Sequence, residues 1–149
     1  MNRTDVAQLV RDSAARFGDR NPQQLRQLKD RLSKAASIEV ARGLLDVFAS
    51  GESPPQGSPA QELAGALLAV TEPVAPNELQ TYIRAVLPRY ELSVEQLPLF
   101  LARAVGTKRV LETLEHIELE KLSEGERKAS ETMRFWLRGL RSSSGANEA

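Results

Sequence analysis

The chain has 149 residues, 41% hydrophobic and 27% charged, with twenty basic and twenty acidic side chains that leave no net charge. That length and mixture describe one globular domain that buries a core without metal or disulfide staples, and they exclude a disordered chain. The absence of cysteine excludes disulfides, thiolate nucleophiles and thiolate metal sites.

Aromatic residues make up only 5% of the chain, so Leu, Ala and Val must fill most of the core, as in helix-on-helix architectures. Helical periodicity runs through almost the whole sequence, and no stretch alternates as a strand would. The first helix is expected over about Asp5 to Phe17, with Thr4 as N-cap, Gly18 as stop, and Val6, Leu9, Val10 and Phe17 as its apolar face. "NPQQ" at 21–24 opens a second helix: Asn21 caps, Pro22 takes the first helical position, and Gln24 closes a capping box. Leu25, Leu28 and Leu32 give that helix a narrow apolar stripe opposite a charged face. A third helix follows over Ile38 to Ala49, capped by Ser37.

"SGESPPQGSP" at 50–59 reads as a loop. Ser58, Pro59 and Gln61 repeat the start signal of 21–24 and open a fourth helix, "QELAGALLAV", where Gly65 and its alanines permit close helix approach. A fifth helix starts near Asn77, with a capping box in "NELQ", and Pro88 breaks or kinks it near its end. Ser93 and Gln96 offer a box for the sixth helix, while Pro98 moves its expected start toward Leu97; Gly106 ends it. A seventh helix runs from Thr107 through Leu114 and Ile117. A last capping box, Ser123 with Glu126, opens a helix through Met133, Trp136, Leu137 and Leu140. The prediction is an all-α, single domain over 1–141 of seven to eight antiparallel helices, with a disordered tail at 142–149.

"VARGLLDVF" at 40–48 aligns with "YIRAVLPRY" at 82–90, matching Arg42 to Arg84, Leu45 to Leu87 and Phe48 to Tyr90. With this offset the chain resembles a small HEAT or armadillo-like stack over 38–106. The resemblance implies a binding surface rather than chemistry.

Catalytic and metal signals are sparse. His116 is the one histidine, and Glu112, His116 and Glu120 share a helical face that suits a metal or an acid–base pair. No second histidine completes such a site, and no G-x-S-x-G, S-x-x-K or phosphate-loop pattern occurs. The expectation is no enzyme, no metal and no cofactor. The N-terminus lacks the apolar core of a signal peptide, and the longest apolar run, "LAGALLAV" at 63–70, is too short to span a bilayer. A cytoplasmic protein with no membrane association is expected.

Two surfaces remain. The C-terminal helix mixes Phe135 and Trp136 with Arg138, and the region around Pro88 offers Arg84, Arg89, Tyr90 and Glu91; Arg and aromatic residues are enriched at interface hot spots. These seven are the candidate protein-binding residues of a non-catalytic interaction module: an adaptor, a regulator or an immunity-type inhibitor. Its partner is another protein, a second copy of the chain included. The alternative is a nucleic-acid-associated regulator using Arg20, Arg26, Lys29, Arg31 and Lys34, although Asp30 interrupts that basic run and nothing aromatic alternates with it. A second alternative is an enzyme or metal protein centred on His116.

Overall fold

A computed structural model describes residues 1–50 and 58–148, with side chains described up to Gly139. Among the described residues the chain forms eight helices and no strand: α1 (Arg3–Phe17), α2 (Pro22–Leu32), α3 (Ser37–Ala49), α4 (Pro59–Thr71), α5 (Leu79–Val86), α6 (Gln96–Val105), α7 (Thr107–Glu118) and α8 (Glu124–Glu148). The 50–59 connection lies mostly outside the described residues. The backbone of α8 runs helical through 142–148, where the sequence suggests a tail.

Helix α4 is the pivot, packed against α1, α2, α3 and α6. Its sequence explains the position. Leu63, Ala64, Gly65, Leu67 and Leu68 are all buried, and a helix apolar on most sides is stable only when surrounded. Helices α5, α7 and α8 close the other half, with α6 packed against α4, α7 and α8. Gly43 lets α1 lie directly on α3: a Cβ there would sit 2.5 Å from the Val6 Cβ and 2.8 Å from the Arg3 carbonyl oxygen. Gly65 does the same for α4 beneath Val94, whose Cγ1 would lie 2.8 Å from an added Cβ.

The prolines act as expected. Helix α5 ends at Val86, and Leu87–Arg89 tightens into a 3-10 turn around Pro88. Pro98 falls in the first turn of α6, where a backbone N–H has no intrahelical partner to lose. Gly106, at φ 95°, ends α6 and starts α7 in a conformation that side-chain-bearing residues avoid.

Several caps differ from expectation. Asn2, not Thr4, caps α1, because only Asn2 has an acidic partner three residues on: Asp5 N donates to Asn2 Oδ1 at 2.9 Å, and Asn2 N donates to Asp5 Oδ2 at 3.0 Å. Ser37 lies inside α3, and its hydroxyl accepts from Val74 N at 2.9 Å, tying down the segment after α4. Asn77 caps nothing; α5 begins after Glu78, which faces Arg42 at 3.8 Å. Ser93 donates to Glu62 and Glu91 rather than capping α6. The caps at Asn21 and Ser58 form, as does the Ser123–Glu126 box.

Gln24 and Gln61, each three residues past its cap, do not close boxes. Both are buried, at 5% and 3% exposure, and both bridge separate segments. Gln61 Nε2 donates to the Arg89 carbonyl at 2.6 Å, and its Oε1 accepts from Glu91 N at 2.8 Å. An amide with one donor end and one acceptor end matches a strand-like segment edge, so α4 holds the chain after Pro88 in place.

Candidate interaction surfaces

The seven expected protein-binding residues do not form one patch. Tyr90 is buried, and its hydroxyl donates to the Val94 carbonyl at 2.6 Å. Burial pushes this hydroxyl well above the ordinary tyrosine pKa, the neighbouring Trp136 side chain opposes the shift, and the carboxylates Glu62, Glu91 and Glu95 add to it. Tyr90 is therefore a core residue, because Gln61 turns the Arg89–Glu91 backbone against α4 and directs the ring inward. Glu91 is partly buried in the same strap. Arg89 donates to the Ala49 carbonyl at 3.0 Å, and Arg84 of α5 forms an ion pair with Glu120 in the turn after α7.

Helix α8 divides the remaining three. Trp136 is partly buried and its Nε1 donates to the Leu92 carbonyl at 3.3 Å, so it docks α8 on the segment after the 3-10 turn. Phe135 is 65% exposed and stands edge-on to Trp136, with ring centroids 5.2 Å apart and planes at 65°. Arg138 is exposed on the same helix. A docked indole thus supports an exposed phenyl ring.

The His116 face does not assemble. His116 is exposed, Glu112 faces Lys108 at 3.9 Å, and Glu120 is held by Arg84. Among the described residues no three His, Asp or Glu side chains cluster as metal ligands would. Glu118, the acid on this helix with the most specific surroundings, serves packing. Burial raises its pKa, but the Ser130 hydroxyl at 2.6 Å, Arg134 at 2.6 Å and the charge of Arg127 outweigh burial and hold the carboxylate below its ordinary value.

The basic residues Arg20, Arg26, Lys29, Arg31 and Lys34 are all exposed on α2 and its flanks, and none forms an ion pair among the described residues. Beside them lies a groove of about 590 Å³ between α1 and α2, floored by Leu9 and Leu28 and rimmed by Phe17, Arg16 and Arg31. Phe17 belongs to the apolar spacing of α1 yet is 59% exposed, because Ala14 is the last residue of α1 to be covered. A second cleft, about 270 Å³, opens between α4 and α6 over Leu68, Leu99 and Phe100. The Glu72–Arg103 ion pair, 2.9 Å, crosses its rim, and Glu72 ends α4 at φ 44°.

Among the described residues no helix is long and apolar enough to cross a membrane. No protein-family model, curated protein or solved structure matches the chain.

Proposed function

We propose that the chain is a non-catalytic protein-binding module, an adaptor, regulator or inhibitor whose contact surface is preformed by helix packing. Phe135 carries the reading. A large apolar ring held 65% exposed by a docked neighbour loses little conformational freedom on binding, and such anchors concentrate interface energy. Arg138 adds a nearby cation for a polar rim. Glu112 and Glu120 each face a cation, Lys108 and Arg84, rather than His116, which is in keeping with the non-catalytic side of the proposal. The HEAT-like reading finds support in burial: Leu45 and Leu87 match, as do Phe48 and Tyr90, and α3 packs on α5. The 82–90 segment departs from 40–48 at Pro88, where it tightens into a 3-10 turn.

The test is affinity capture of the tagged protein from its native lysate, with and without nuclease, beside Phe135→Asp and Arg138→Glu. A nuclease-resistant, near-stoichiometric protein that Phe135→Asp loses is the expected result. Equal capture by both variants and the native chain would overturn this surface. The second reading, a nucleic-acid-associated regulator, is favoured by the exposed, unpaired cations of α2, and recovery only with nucleic acid would select it.

A further inference from the structure

Unpaired cations are spread over the described residues, with Arg11, Arg89, Arg109, Lys121, Arg127, Lys128 and Arg138 as well as those of the α1–α2 corner in no ion pair, and what sets the corner apart is the groove beside it. Arg3, Arg42, Arg84, Arg103, Lys108 and Arg134 each pair with a carboxylate. Those of the α1–α2 corner, Arg16 and Arg31 among them, pair with none among the described residues, although Asp12, Asp19 and Asp30 stand in the same stretch. Charge that packing leaves uncompensated beside a groove of mixed lining, with Leu9, Phe17 and Leu28 among polar side chains, is available to a ligand of opposite sign.

The groove wall adds a polar feature. Gln24 Nε2 donates to the Ser13 hydroxyl at 2.7 Å, the Ser13 carbonyl at 3.1 Å and the Gly18 carbonyl at 3.0 Å. Two carbonyl acceptors fix the amide orientation, since a flip would set oxygen against oxygen. The Oε1 end is then left buried with no donor among the described residues. An unpaired buried acceptor costs roughly 1–3 kcal/mol, so the groove wall carries a polar group that the fold leaves without a donor among the described residues.

We infer that the α1–α2 groove binds a short acidic peptide segment, with one large apolar side chain on Leu9, Leu28 and Phe17 and carboxylates at Arg16 and Arg31. A peptide fits better than a nucleic acid for two reasons. The floor is aliphatic, and Asp12 lines the groove together with its two arginines, so a continuous phosphate backbone laid along it would meet a carboxylate. A peptide places its carboxylates at discrete positions and leaves Asp12 in water. This surface is separate from the one around Phe135.

Fluorescence anisotropy tests the assignment. The probe is a short labelled peptide with glutamates flanking one phenylalanine; its controls are the same peptide with lysines for glutamates and a single-stranded oligonucleotide. The glutamate peptide is expected to bind, more weakly as salt rises. Arg16→Glu with Arg31→Glu should weaken it at least about tenfold, Phe17→Ser should also weaken it, and Phe135→Asp should leave it unchanged. Both charge reversals sit on exposed side chains, and a thermal melt checks folding. No binding of the glutamate peptide at low salt, equal binding of the lysine peptide, or an unaffected double variant would each overturn the inference. Tighter binding of the oligonucleotide, lost in the same double variant, would overturn it in favour of nucleic acid. Loss of capture by Phe135→Asp bears only on the other surface, so the two readings fail separately.

Discussion

The Tyr90 hydroxyl donates to the Val94 carbonyl at 2.6 Å inside the core, closing the short strap between the 3-10 turn and α6. The same strap is held by Gln61 from α4 and by Trp136 from α8. Tyr90→Phe keeps the ring and removes the donor, leaving a buried carbonyl unpaired. A loss of about 1–2 kcal/mol is expected in urea unfolding. The pH dependence has a definite sign. Burial raises the folded-state pKa, so the stabilisation is complete below the unfolded value of about 10 and is lost as pH rises beyond it. Stability of the native chain should therefore fall faster above pH 10 than that of Tyr90→Phe, and parallel declines would refute the assignment.

Glu118 acts in the opposite pH direction. Its carboxylate joins the fully buried Ser130 hydroxyl to Arg134, linking α7 to α8. The folded pKa is lowered, so the stabilisation is present above the unfolded value of about 4.3 and is lost as pH falls through the folded value. Glu118→Gln keeps most of the shape and removes the charge. It should cost about 1–3 kcal/mol at neutral pH and nearly nothing in strong acid, as read from unfolding curves at both pH values. A constant deficit at all pH values would contradict the ion-pair account.

The helices were legible because periodicity, prolines and glycines mark them independently of tertiary contacts. Pro22, Pro59, Pro88, Gly18 and Gly106 stand where their backbone restrictions suggest. Side-chain partners were not legible in the same way. Gln24 and Gln61 occupy capping-box positions, yet each spends its amide on a segment 6 to 30 residues away. Tyr90 has the composition of an interface anchor, and only the path of the chain after Pro88 buries it. Phe17 shows the converse: its spacing suggests core, but among the described residues nothing covers its ring, which is 59% exposed.

Gly43 is a contact point that the sequence did not single out. An added methyl would press on the Val6 Cβ and on the Arg3 backbone, neither of which is the end of a flexible side chain. The α1–α3 interface must then separate, and with it the Arg3–Asp46 ion pair at 2.6 Å. Gly43→Ala raises helix propensity by roughly 1 kcal/mol, but overpacking costs about 1–3 kcal/mol and should win. The expected result is net destabilisation. Gly139→Ala, where among the described residues no group beyond the local helix backbone lies within 4 Å of an added Cβ, provides the contrast and should be neutral or stabilising.

Adjacent residues on α8 should separate stability from binding. Trp136 fills space against the Leu92 segment and donates a hydrogen bond, so Trp136→Ala should cost about 2–3 kcal/mol in unfolding experiments. Phe135 at 65% exposure buries little, and Phe135→Ser should change stability by no more than about 0.5 kcal/mol. If Phe135 serves a partner, its replacement removes capture while the melting curve stays in place. A large stability loss in Phe135→Ser would make it a packing residue of α8 instead. Trp136→Phe supplies the intermediate case. It keeps an aromatic support for Phe135 but loses the donor to Leu92, so modest destabilisation with capture retained is the expected result.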